Sequence, residues 1–252
     1  MSAVERAFHG IRHMISSQEL TAEQRLPSES ELCERLGVSR GSLREAVRML
    51  AALGVVESRH GSGVYVSSLK PEEFMRSLAL TVELLPLSGV LELYEVRRVL
   101  ESYAAGQAAA KATPLVHAQL RDMLIRLDDA SSPNEASVLD AEFHQLVAEA
   151  GGNATITALL AVMKNRSRAY QIYGSQGTDA IRRMSEDGHR QIAEAIIAGD
   201  PAMASAAMAS HVAQTEIWLR HYAPAPDRKP LDQQLPLDSG PAQPQSGELE
   251  GS

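Results

Sequence analysis

Residues 26–66, LPSESELCERLGVSRGSLREAVRMLAALGVVESRHGSGVYV, decide how this chain is read. Their spacing predicts two short helices joined by a tight turn, then a β-hairpin with a basic, glycine-rich tip. Ser28 and Glu31 have the arrangement of a capping box, in which a hydroxyl and a carboxylate satisfy orphan donors at a helix start. Leu32 and Leu36 carry the apolar face of that helix, and Gly37 stands where a left-handed C-cap is wanted. Ser39 is placed to cap the next helix. Its apolar positions Leu43, Val47, Leu50 and Leu53 recur at helical spacing, and Gly54 ends it. Val55-Val56 and Val64-Tyr65-Val66 are β-prone arms around His60-Gly61-Ser62-Gly63.

Arg40, Arg44 and Arg48 recur every four residues, so they line one face of the second helix, opposite its apolar stripe. Alone, such a row is most simply a solvated face. Beside a tight turn and a glycine-rich wing, it suits phosphate and guanine contacts, with the helix in a DNA major groove and the wing tip alongside. The expected DNA-binding residues are Arg40, Ser42, Arg44, Arg48, His60 and Gly61.

The segment resembles the winged helix-turn-helix of the GntR family of bacterial transcription regulators. The match is carried by Leu26-Pro27-Ser28-Glu29, Leu32, Gly37-Val38-Ser39-Arg40, Leu43-Arg44-Glu45-Ala46, Leu50, Leu53-Gly54 and His60-Gly61-Ser62-Gly63. In the FadR branch, the resemblance implies that Arg40 and Arg44 reach bases or nearby phosphates and that His60-Gly61 enters the minor groove. Members of that branch often carry arginine where this chain has Ser30.

The formal charge of −8 is unevenly placed. Residues 1–66 hold eight Lys/Arg and eight Asp/Glu, whereas the remaining 16 basic and 24 acidic residues carry the whole excess. Residues 35–59 contain five arginines and two glutamates, so the basic surface is local, and the acidic remainder disfavours indiscriminate DNA binding. The single Cys33 excludes a disulfide framework and reads as a small core residue. The N-terminal stretch is amphipathic, with Val4, Phe8, Ile11 and Ile15 on one face, and has no signal-peptide pattern. No run is long enough to span a bilayer, so a cytoplasmic protein without membrane contact is expected.

From Pro71 to about residue 222, alanine- and leucine-rich periodic segments alternate with breaks at Pro86, Thr113-Pro114, Ser131-Ser132-Pro133, Gly151-Gly152, 174–177 and Gly199-Asp200-Pro201. The fold class is therefore mainly α: a winged helix-turn-helix over 1–68, then an antiparallel bundle of about seven helices over 69–222. Residues 223–252, rich in proline and glutamine, are expected to be a disordered tail.

Asp140 and His144 lie one helical turn apart, and His189 and His211 fall on two later helices. One carboxylate and three imidazoles suit a divalent transition metal, although by spacing alone each histidine is better explained as a satisfied helix residue. The region also resembles the FCD effector domain of the FadR branch, through Glu95-Val96-Arg97-Arg98-Val99-Leu100-Glu101, Asp140-x-x-x-His144, His189 and His211. That resemblance implies these four positions as ligands, with zinc, nickel or manganese as the metal and a small carboxylic acid or water completing its coordination.

Arg97 stands on a stripe formed with Leu93, Leu100 and Ala104, and a guanidinium there needs an anion. Glu101 and a bound acid are equally suited. Asn165 is a candidate for orienting the effector, and Asn153 reads as a helix cap. The expected function is a homodimeric regulator, acting as a repressor, on a two-fold symmetric double-stranded operator, switched by an acid at the metal. A metal-only regulator is the second reading and a metallohydrolase a distant third.

Overall fold

A computed structural model describes residues 1–168, 170 and 179–225. The chain is mainly α. Its first part consists of α1 (Ala3–Ser16), α2 (Glu29–Leu36), α3 (Arg40–Ala52), β1 (Val56–Arg59) and β2 (Gly63–Val66). Ser39 Oγ accepts the Ser42 amide at 3.2 Å and starts α3. At α2, the hydroxyl half of the expected capping box forms, Ser28 Oγ accepting the Glu31 amide at 3.3 Å. A complete box closes α1 instead, between Ser2 and Glu5. Gly37 adopts φ 62° and ψ 42°, a backbone that glycine enters without steric cost and that turns α2 directly into α3.

The packed face of α3 keeps Leu43 and Leu50 of the expected stripe, adds Ala46 and loses Leu53. Leu43, Ala46 and Leu50 are buried, Val47 is half-buried, and Leu53 is 48% exposed. Leu53 is the C-cap, and at Gly54 (φ 73°) the chain turns away toward β1, so the last leucine leaves the core that α1 and α2 complete. On α1 the inner residues are Ala7, Ile11 and Met14, with Val4, Phe8 and Ile15 packing beside them. Cys33 packs against the same core without being fully buried. Strands β1 and β2 pair antiparallel from Val56–Val66 to Arg59–Gly63, which leaves residues 60–62 as an exposed tip.

Among the described residues the second part contains seven helices, the number expected: α4 (Pro71–Val82), α5 (Leu87–Lys111), α6 (Pro114–Asp128), α7 (Pro133–Ala150), α8 (Ala154–Arg168), α9 (Asp179–Ile197) and α10 (Pro201–Tyr222). Five of the six predicted breaks, at Pro86, Thr113-Pro114, Ser131-Ser132-Pro133, Gly151-Gly152 and Gly199-Asp200-Pro201, fall at the junctions between these helices. Thr113, Ser132 and Asp200 each cap the following helix, with proline in its first turn. Asn153 Oδ1 accepts the Ile156 amide at 3.1 Å, the cap expected of it. The break at 174–177 and the tail from residue 226 onward lie outside the described residues.

Helix α5 runs through the middle, packed on α7, α8, α9 and α10. Gly106 permits its close approach to α10: a Cβ there would stand 2.5 Å from Ser205 Oγ. The core includes Val90, Phe143, Ile192, Ile196, Met208 and Leu219. No helix among the described residues is long and apolar enough to cross a membrane.

Candidate DNA-reading surface and metal centre

On the winged unit, Arg40, Arg44 and Arg48 are exposed along α3, Ser42 is half-buried, and His60 and Gly61 are exposed at the wing tip. Arg44 and Arg48 share a groove with Gly63 and Val64 of the wing and with Arg25, Ser28 and Glu29. Each arginine of the row has a partner. Arg44 grips Glu29 through two parallel bonds, Nε to Oε1 at 2.9 Å and Nη2 to Oε2 at 3.0 Å. Arg40 donates to Ser30 Oγ at 3.2 Å, and Arg48 to Glu45 at 3.3 Å. The hydrogen bond from Arg44 holds the Glu29 carboxyl below its usual range.

Within the bundle, α7 supplies Asp140 and His144, α9 supplies His189 and α10 supplies His211. One donor atom from each lies within 4.8 Å of all the others. His144 Nε2 stands 3.2 Å from His211 Nε2 and 3.7 Å from Asp140 Oδ1, and His189 Nε2 is 3.1 Å from that same oxygen. Gly188 makes room for this approach, since a Cβ there would meet His211 Nδ1 at 2.5 Å. The three histidines are buried, and Phe143 packs on His189 with ring centroids 4.6 Å apart.

Around this cluster lies a set of charges that the sequence reading only partly anticipated. The buried stripe of α5 runs Val90, Tyr94, Arg97, Glu101 and Ala104, while Leu93 and Leu100 are only half-buried. Glu101 turns inward because both its oxygens are used. Oε1 accepts Arg97 Nε at 2.8 Å, and Oε2 is bonded to His144 Nδ1. Arg97 also lies over the Tyr94 ring, 4.4 Å from its centroid. Glu101 is thus a partner of Arg97.

Lys164 on α8 reaches Asp140 Oδ2 at 2.7 Å. Its neighbour Asn165 is exposed and is not brought to the cluster. The i,i+4 step from Arg97 to Glu101 was a usable sequence signal for that pair. Lys164 had none, because the meeting of α8 with α7 is long-range.

Electrostatics favour donors ready for a metal. Burial, reinforced by the neighbouring imidazoles, holds His211 well below the ordinary histidine value, and burial outweighs Asp140 to lower His189 as well. Burial alone raises the Asp140 carboxyl, but Lys164, His144 and His189 overcome it and hold it well below the carboxylate range. Lowered values at His189 and His211 favour neutral imidazoles, and the lowered Asp140 an ionised carboxylate, the forms in which these groups bind metals. The Glu101 bond takes up His144 Nδ1 and leaves Nε2 turned toward the other donors, the usual outer support of a metal-ligating histidine. His189 Nδ1 is buried without a hydrogen-bond partner among the described residues. With metal–ligand bonds of roughly 2.0–2.2 Å, donors around one ion stand about 3–3.5 Å apart; the pairs at 3.1 and 3.2 Å have this spacing and the full set lies within 4.8 Å, so the donor set suits a divalent transition ion by its chemistry.

A DNA-facing winged helix joined to a helical bundle with a polar, donor-lined interior is the plan of a transcription regulator. Comparison with known proteins specifies which kind. Residues 3–66 match the family model "Bacterial regulatory proteins, gntR family", and residues 92–214 match the "FCD domain". The chain belongs to the gntR family of bacterial regulatory proteins, in its FadR-like arrangement with a C-terminal FCD domain.

Among its relatives, the HTH-type transcriptional regulator LutR of Bacillus subtilis (strain 168) is 29% identical over 215 residues, covering 83% of this chain and 97% of that protein. The Uxu operon transcriptional regulator of Escherichia coli (strain K12) is 31% identical over 210 residues, covering 80% of each. The solved structure titled "Streptococcus agalactiae GntR" superposes with a TM-score of 0.59 at 29% identity, over 85% of this chain and 99% of that one. The chain is therefore a DNA-binding transcriptional regulator and not an enzyme, which removes the metallohydrolase reading.

Proposed function

We propose that this chain is an acid-responsive regulator, probing DNA with α3 and the wing of residues 1–68 and sensing its effector within 69–222. The observation that carries the reading is the convergence of Asp140, His144, His189 and His211 from three helices, behind a winged helix in the same chain. Arg40, Ser42, Arg44, Arg48, His60 and Gly61 would face the operator. A zinc, nickel or manganese ion held by the four donors would supply Lewis acidity and open coordination positions for a carboxylate or water.

Charge balance supports an anionic effector. Arg97 and Lys164 offset Glu101 and Asp140, so a divalent ion leaves this buried region positive by about two charges. Lys164, already in contact with a metal-binding residue, is the cation placed to share an acid's carboxylate. Arg97 acts one step back, holding Glu101 and through it His144. Among the described residues, the space beside His144 is a cavity of about 20 Å³, enough for roughly one water. An acid bound there would be accommodated by a shift of α7, α8 or α5. Such a shift, passed to two paired chains, re-spaces recognition helices that must meet major grooves about 34 Å apart.

A second copy is expected against α5 and α10, where Val96, Val99, Tyr103 and Ile217 are all exposed. The two helices adjoin there, with Ser205 Oγ donating to the Ser102 carbonyl at 2.9 Å. Uncovered, this apolar face is unfavourable in water.

The same small cavity favours one other reading, in which metal and a single water complete the site and the metal itself is the signal. Both readings are tested by DNA affinity in metal-free, metal-loaded and metal-plus-acid protein, using an operator selected from random duplexes. The acid reading expects a 5- to 150-fold change on adding one of a panel of small acids to the metal-loaded form. A change on chelation alone, with no response to any acid, replaces it with the metal reading. Release of DNA by the acid is the expected direction, that of a repressor.

A further inference from the structure

We infer that Glu29 is a positioning residue for base recognition: it holds Arg44 by one edge so that the opposite edge is presented to a guanine. The bond pair described above uses Nε and Nη2 of Arg44 and both carboxylate oxygens of Glu29. A guanidinium has five N–H donors in a rigid fork, so gripping the Nε side leaves Nη1 and the outer hydrogen of Nη2 free. Those two groups form the edge that pairs bidentately with guanine O6 and N7. The Arg44 side chain remains 61% exposed in this grip, so the free edge is open to solvent.

Glu29 does not have to touch DNA to act. It belongs to the first turn of α2, whose start is fixed by Ser28 and whose buried Leu32 packs in the core beside Leu43 of α3. The carboxylate is thus anchored on a helix other than the one carrying the arginine. It restricts the rotamers of a long side chain before DNA arrives, which reduces the ordering cost of binding. Its negative charge also opposes the use of Arg44 as a general phosphate contact. Arg40 is held differently, by one neutral bond to Ser30. It keeps the freedom to follow a phosphate. The first turn of α2 therefore assigns different tasks to two arginines that the α3 sequence presents as equivalent.

This inference rests on Arg44 facing DNA, and the test separates the two claims. Sequences are selected from a random duplex library by full-length wild type, Arg44→Ala and Glu29→Gln, and the preference at each base position is measured. Arg44→Ala identifies the position read by Arg44, where loss of a guanine preference of roughly tenfold or more is expected. Glu29→Gln is expected to relax that same position while leaving the others intact, and the intact positions report a folded winged helix. Freed from its carboxylate, Arg44 becomes available to phosphate, so the slope of log affinity against log salt should steepen by about 0.9 for each chain. Retention of the full guanine preference in Glu29→Gln, or an equal loss at every position, overturns the positioning role. If Arg44→Ala relaxes no position, the base-reading role of Arg44 fails and the inference falls with it.

Discussion

At the scale of single residues, Glu101 has the most consequential partners in the bundle. It lies between a guanidinium and an imidazole, all three buried, and Arg97 and His144 together offset its burial and depress its carboxyl. Removing one member of such a set leaves an uncompensated charge inside. Glu101→Ala is therefore expected to destabilise the protein by about 3–5 kcal/mol, measured by chemical denaturation, and to free His144 from its orientation. A loss below about 1 kcal/mol would show that Arg97 readily finds another anion. The donors themselves are tested separately: zinc should raise the melting temperature of wild type, by about 2.7 kcal/mol of added stability at a hundredfold excess over Kd, and leave His211→Ala unmoved.

Proton linkage gives a further residue-scale expectation. His189 and His211 have folded-state values below the ordinary 6.5, chiefly through burial. Below that value the unfolded chain binds more protons than the folded one. Their stabilising contribution is full above about pH 6.5 and is lost as pH falls through the folded-state values. Glu101 and Asp140, also depressed, keep their contribution until far more acidic conditions. In chelator, the melting temperature should fall between pH 7.5 and 5.5. A flat or rising profile would mean that the imidazoles gain compensating partners on protonation.

At the scale of elements, α5 has two opposed jobs. Its inner stripe carries Arg97 and Glu101 to the donor cluster, and its outer stripe of Val96, Val99 and Tyr103 is left uncovered in the single chain. Val99, 67% exposed, is expected to sit near the centre of the contact with a second copy. Val99→Asp should convert a dimer to a monomer in sedimentation and cut operator affinity, with little effect on monomer folding, because the side chain contributes little to the core. An unchanged dimer would move the contact to another face. The α5–α10 approach that builds this face depends on Gly106, where a side chain meets Ser205 and the Pro201 carbonyl.

At the scale of the whole molecule, two hydrophobic cores divide the chain, one built from α1–α3 and the wing, the other from α5–α10. The first carries the exposed arginine row proposed to face DNA; the second encloses charges that a metal and an acid would rebalance. In the proposed switch, an effector entering beside His144, where the described residues leave about 20 Å³, would change the packing of the surrounding helices. A coupling of about 1–3 kcal/mol is sufficient for a useful switch.

Sequence alone determined what depends on local pattern. The helix caps at Ser39 and Asn153, the left-handed turn at Gly37, the hairpin and the described breaks between bundle helices follow from residue chemistry within a few positions. The arginine row was visible for the same reason, since a four-residue repeat fixes a face. The four candidate ligands were nameable through their chemistry and the family resemblance, but their convergence was not.

Tertiary structure alone decided which groups meet across distance. It turned Glu101 inward to serve both Arg97 and His144, brought Lys164 to Asp140 while leaving Asn165 outside, released Leu53 from the core, and joined Glu29 to Arg44. The physical reason is common to the three contacts made between helices, Glu101 with His144, Lys164 with Asp140 and Glu29 with Arg44. A side chain's neighbours on its own helix are set by 3.6-residue periodicity, whereas its partner on another helix depends on how two surfaces pack and which buried charges must be neutralised there.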